Sequence, residues 1–198
     1  LAGAFTITAS ENPTHCHSHS FNKEVIQCKR CSRRSPEELI ALVNNTIAEG
    51  AHRANPKADI IAWDWGWNSE WAGKVIDRLH LDIRFMSTSE AFLETEAMGV
   101  KGVVGDYSIS KVGPGQWAVE NWKHASARGL DIIAKVQLNN TWECSAIPYL
   151  PVPFLVNRHI QNLKSQNISG LMVSWTLGGY PGGNLMLVGK EPETLARE

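Results

Sequence analysis

Ala58-Asp59-Ile60-Ile61-Ala62-Trp63-Asp64-Trp65-Gly66-Trp67 is the stretch on which the fold turns. Its body is short and apolar, and its C-terminal end is abruptly polar and aromatic. A strand apolar through its length suits a sheet covered on both faces. Upstream, Ser35-Pro36-Glu37-Glu38 opens a helix, with Ser35 as N-cap, Pro36 at the first helical position and Glu38 completing a capping box. Leu39, Leu42, Val43, Ile47 and Ala48 recur at helical spacing and would cover the sheet, and Gly50 is the expected terminator. Downstream, Ser69 is read as the cap of a second helix whose inner face carries Val75, Ile76 and Leu79.

The pattern repeats in both directions. Gly3 to Ala9 forms a run ending at Ser10-Glu11, followed by a polar loop at residues 12–34 rich in His, Cys, Lys and Arg. Asp82 to Ser87 forms another, closing at Thr88-Ser89-Glu90. The stretch around Gly102 to Ser108 reads as an excursion beyond that strand, with a hairpin as one form. Gln116 to Arg128 is a helix stopped by Gly129. Asp131 to Leu138 is a strand ending in Asn139-Asn140-Thr141-Trp142-Glu143, and a helix over residues 152–164 leads to a last strand, Gly170 to Thr176. Alternating strands and helices are the mark of parallel β/α units. The expected fold is therefore α/β: a partial (β/α) TIM-type barrel of about five parallel strands with flanking helices, one domain over residues 1–198. Five strands do not close an eight-stranded barrel, so three strands are expected before Leu1. Were the chain naturally this short, open sheet edges would favour a homo-oligomer.

Composition narrows the function. The 198 residues are 43% hydrophobic with a net charge of −1, enough for a real core. The absence of a basic stripe argues against nucleic acid as a partner. No apolar run reaches the roughly 18–20 residues that span a bilayer. Leu1 to Phe5 lack the charged start of a signal peptide, and a cytoplasmic location with no membrane partner is expected.

Counting backward from a closing eighth strand at residues 171–176 makes the first run strand four and the Asp131 run strand seven. Glu11 then ends strand four and Glu143 ends strand seven. Two carboxylates facing each other across a barrel mouth are what glycoside cleavage needs, one protonated and one ionised. In this the chain resembles the retaining (β/α)8 glycoside hydrolases of clan A. The resemblance implies Glu11 as acid/base and Glu143 as nucleophile, with Ser10 standing where that group usually carries Asn. It further implies cleavage of a β-linked sugar, as by a β-galactosidase or β-glucosidase, with no cofactor for catalysis. Asp64, Glu90 and Asp106 are the rival carboxylates, and Asp64 between two Trp also suits a sugar hydroxyl.

Eight Trp are present, four of them between Trp63 and Trp71. Alternation would put Trp63, Trp65 and Trp67 on one face of an extended strand. Trp63 is expected to pack, while Trp65 and Trp67, beyond the strand body, are expected to line a cleft. Trp142 and Trp175 are further sugar platforms; Lys135, Gln137, Asn139 and Asn140 are candidate partners for the hydroxyls of a carbohydrate substrate.

His15-Cys16-His17-Ser18-His19 followed by Cys28-Lys29-Arg30-Cys31 is a separate signal. Cys16, Cys28, Cys31 and either His17 or His19 make a tetrahedral set suited to structural zinc. A disulfide and free thiols are the alternatives, and three thiolates leave little Lewis acidity for catalysis. Cys144 reads as packing, His159 as a helix-surface imidazole and Ser174 as a strand hydroxyl. Two other functions stay open: a non-catalytic carbohydrate-binding barrel fragment, and a metal-dependent hydrolase built on the Cys/His loop.

Overall fold

The computed structural model describes residues 2–10, 14–18, 28–139, 143–144, 146–147, 149–174 and 182–188. Seven strands are present among them: β1 (Gly3–Ile7), β2 (Asp59–Trp63), β3 (Ile83–Thr88), β4 (Glu94–Ala97), β5 (Val100–Val103), β6 (Ile132–Val136) and β7 (Gly170–Val173). The helices are α1 (Pro36–Ala54), α2 (Ala72–Ile76), α3 (Gln116–Ala127) and α4 (Pro153–Lys164). Five strands form a parallel sheet in the order β1-β2-β3-β6-β7. Gly3 pairs with Asp59 and Ile7 with Trp63, while Ile60 pairs with Ile83 and Trp63 with Met86. Phe85 N–H donates to Asp131 O and Ser89 N–H to Lys135 O, both partners advancing four residues together as parallel strands do. The expected α/β class and five parallel strands are what the chain adopts. Among the described residues, no helix is long and apolar enough to cross a membrane.

The chain divides into two compact units, Leu1–Ser87 with Asn121–Ile133, and Thr88–Glu120 with Ala134–Glu198. In the first, Ile60, Ala62, Trp63, Ile83, Phe85 and Met86 are buried from the strands. The capping box of α1 forms as expected: Glu38 N–H donates to Ser35 Oγ, and Ser35 N–H to the Glu38 carboxylate. The inner face of α1 differs from the expected one. Ile40, Ala41, Asn44 and Ala48 are buried, whereas Leu42 and Ile47 are 44% and 39% exposed. The cause is polar: Asn44 accepts from Thr6 Oγ1 at 2.6 Å and donates to Thr8 Oγ1 at 3.0 Å, which turns its own face towards β1. The helix also runs through Gly50 to Ala54. His52 sits in that last turn, with one ring nitrogen 2.9 Å from Asp82 and the other 2.9 Å from Ala58 O.

The second helix is shorter than its sequence suggests, and Ser69 does not cap it. Asn68 organises the entry instead, its carbonyl accepting from Trp71 and Ala72 and its side chain from Glu70 N–H. In the second unit the excursion after β3 is an antiparallel hairpin, with Glu94 opposite Val103 and Ala97 opposite Val100. Every residue of β6 is buried, including Lys135.

Candidate functional site

Lys135 is the anomaly from which the site is built. A lysine in the middle of the apolar strand Ile132–Val136 is fully buried, and a buried charge needs compensation. Its Nζ donates to Gln137 Oε1 at 3.0 Å and lies 4.0 Å from the centre of the Tyr107 ring. Glu90, two residues beyond the end of β3, supplies the opposite charge. Its Oε1 accepts from Gln137 N–H at 2.9 Å, while its Oε2 is buried without a hydrogen-bond partner. Burial pushes the Glu90 carboxyl up from its usual range and the Lys135 ammonium down. Their mutual attraction opposes both shifts, Asp106 adds to the field that favours the ammonium, and the charge of Glu143 raises Glu90 further. The result is a buried carboxyl and a buried amine that feel each other's charge, with the Gln137 residue bonded to both.

Glu143 is the surface member of this group. It sits on the segment leaving β6, exposed, and is held by three donors from one short stretch: the Ser108 hydroxyl, the Ser110 hydroxyl at 2.6 Å and Ile109 N–H at 3.2 Å. An exposed carboxylate with its direction set by three hydrogen bonds is preorganised, since ordering it has been accomplished before a ligand arrives.

Behind Glu90 lies His159, which is 3% exposed rather than on the helix surface. Its Nε2 is 2.7 Å from Ser89 Oγ, and its Nδ1 is 3.7 Å from Glu90 Oε1. Burial holds the imidazole down to about 4. The order serine, histidine, carboxylate resembles a hydrolytic triad, but Ser89 is wholly buried and the second gap exceeds a hydrogen bond. Gly113 closes over the pair: a Cβ there would stand 2.7 Å from His159 Nε2 and 3.0 Å from Ser89 Oγ. These residues position; they do not offer a nucleophile to solvent.

The other expected site residues fall in varied surroundings. Asp64 is 4% exposed and accepts from Ser87 Oγ at 2.6 Å and Asn121 Nδ2 at 3.4 Å. Trp65 is half-buried, its ring 5.1 Å from that of Trp63. Trp67, expected at a cleft, is 3% exposed and packs on Trp71 and Phe85. The strand alternation behind that expectation stops at Gly66, whose φ of +76° turns the chain and whose absent Cβ would meet Ala9 O at 2.7 Å. Asn139 is buried, its N–H donating to Ser174 Oγ at 3.0 Å, so it and Lys135 are inside rather than at a sugar-facing surface. Glu11, His19, Asn140, Trp142 and Trp175 lie outside the described residues.

In the first unit Cys16, Cys28 and Cys31 come together, their sulfurs all within 4.8 Å of one another. Cys28 Sγ accepts from the backbone N–H groups of Cys31 and Arg30 and from the Cys16 thiol, which hold its thiol down to about 7. His17 is not in this trio; its Nε2 is buried without a hydrogen-bond partner.

Sequence reasoning placed Glu90 behind Glu143, read His159 as a helix-surface imidazole although it is buried, and gave Ser108 and Ser110 no role. A signal for Glu90 was present, because Lys135 inside an apolar strand demands a buried anion. No comparable pattern marks the two serines. Fold and site define an α/β protein whose parallel sheet carries a buried carboxyl–ammonium pair beyond β3 and on β6, coupled to one oriented surface carboxylate. Compared with protein-family models, curated proteins and solved structures, the chain matches none.

Proposed function

We propose that the protein is a retaining glycoside hydrolase acting on a β-linked sugar, with Glu143 as the nucleophile. The observation that carries this reading is the Glu143 carboxylate, exposed and aimed by Ser108, Ser110 and Ile109 N–H. A nucleophilic carboxylate must be fixed close to its line of attack on the anomeric carbon, and hydrogen bonds from a single segment do that. Glu11 is assigned the acid/base role on the strand count. It protonates the departing oxygen, then takes the proton from the water that releases the sugar. Glu90 and Lys135 are positioning residues, setting the field around Glu143 from within the core. The fold reading that accompanies this function is a partial TIM-type barrel, with β1, β2, β3, β6 and β7 as its strands four to eight. This reading keeps the protein in the cytoplasm, where cysteines stay reduced.

The test is a panel of chromogenic aryl β-glycosides with wild type and Glu143→Ala side by side. Turnover of one glycoside that falls roughly 10³-fold or more in the variant, at unchanged thermal midpoint, is the expected result. Added azide should then yield a glycosyl azide from Glu143→Ala by occupying the place of the lost carboxylate. Turnover indifferent to Glu143, or none on any sugar, overturns the assignment.

A further inference from the structure

The thiol trio lies in the other compact unit from Glu143 and plays no part in the proposed hydrolysis. Three sulfurs within 4.8 Å of one another suit the edges of a tetrahedral thiolate site, which are about 3.8 Å when each metal–sulfur bond is about 2.3 Å. Cys28 and Cys31 belong to one Cys-x-x-Cys turn. The turn is closed by Ser32 N–H on Cys28 O at 2.9 Å and continues into a short 3-10 turn, Cys31–Arg33. Cys16 arrives from a segment anchored independently, since Thr14 Oγ1 donates to Thr8 O at 2.8 Å just beyond β1.

We propose that Cys16, Cys28 and Cys31 bind one zinc ion that clamps the connection between β1 and α1. Each thiol gives its proton to solvent as its sulfur coordinates, so loading releases protons and involves no oxidant or reductant. The described residues supply three of four tetrahedral ligands. His17, with its buried and unpartnered Nε2 one residue from Cys16, is the imidazole that would complete the set by turning its ring. The role is structural. The connection is pinned at Thr8 on one side and by the Ser35 capping box on the other, and the ion ties its middle to itself. A clamp of this kind stabilises by closing a loop that the unfolded chain leaves open.

The test uses the full chain, stripped with chelator under reducing conditions and titrated with zinc and, separately, with cobalt(II). One equivalent of metal per chain is expected, with sulfur-to-cobalt charge-transfer absorption, tetrahedral d–d bands and a rise in thermal midpoint. The Cys28→Ser/Cys31→Ser variant should lose stoichiometric binding and the charge-transfer band. If that variant does not fold, the wild-type titration with a thiol count in denaturant decides instead. Four reactive thiols in chain purified without reductant are what the site requires; two mark a disulfide and overturn it. Metal binding that survives in the double variant, or an absence of stoichiometric uptake by wild type, also overturns it. None of these readouts depends on glycosidase activity, so failure here leaves Glu143 untouched.

Discussion

Lys135 shows how one side chain can organise its surroundings. A buried amine and a buried carboxyl in each other's field are costly to create and costlier to break, because removing one leaves the other uncompensated. Lys135→Met should therefore destabilise the protein by about 3–5 kcal/mol, and Glu90→Gln by a similar amount. The Glu90→Gln/Lys135→Met double variant should be markedly less unstable than the two losses added. Urea unfolding of all four proteins measures the coupling, and additive losses would show that the pair does not interact. His159 carries a second prediction. Its imidazole is held at about 4, against an ordinary 6.5, so the unfolded chain takes up a proton that the folded chain refuses. The associated stability is complete above pH 6.5 and is lost as pH falls towards 4, by up to about 3 kcal/mol. His159→Gln should flatten the pH dependence of the urea midpoint across that window, and a slope equal to wild type would assign the loss elsewhere. Glu90 lies 3.7 Å from His159 Nδ1 and is itself pushed up by burial, so the Glu90→Gln protein is the control.

At the scale of elements, local chemistry was legible where it is self-contained. The capping box at Ser35 could be read from four consecutive residues because every partner lies within one turn. Ser35→Ala should cost about 1 kcal/mol, read as a lower urea midpoint with an unchanged slope. An unaltered midpoint would mean that solvent replaces the cap at no loss. The inner face of α1 was less legible: Leu42 and Ile47 fit helical spacing yet face solvent, because Asn44 satisfies Thr6 and Thr8 across to β1. Periodicity weighs apolar residues and cannot see that a buried amide fixes the rotation of its helix. Similarly, Asn68 displaced Ser69 at the start of α2, a choice between adjacent turn-forming residues.

For the whole molecule, the sheet order leaves β1 and β7 each with a single hydrogen-bonded neighbour among the described strands. Large apolar side chains are also uncovered, Met98 at 103%, Phe154 at 88% and Val100 at 72%. Unpaired edges and exposed apolar surface both favour association. The chain studied alone should form homo-oligomers in a concentration-dependent way by sedimentation velocity, and Val173→Lys on β7 should shift that equilibrium towards monomer. A single monomeric species at every concentration would remove the prediction.

The class of fold followed from the sequence alone. Short apolar runs alternating with capped helices have few other ways to bury their surface, and polar residues collect where strands end. The sequence likewise marked the cysteine trio, since a Cys-x-x-Cys turn is a local object whose third member needs only a loop to return. What the tertiary structure alone decided is which polar residues are partners. Glu90 meets Gln137 N–H and the field of Lys135, Ser89 meets His159, and Ser108 and Ser110 meet Glu143, at separations of 33 to 70 residues where a separation is defined by a bond. Such pairings depend on strand register and on the turn each chain takes beyond its strand. A turn like the one at Gly66, which sends Trp67 into the core, changes what a side chain touches without changing the pattern in which it is written.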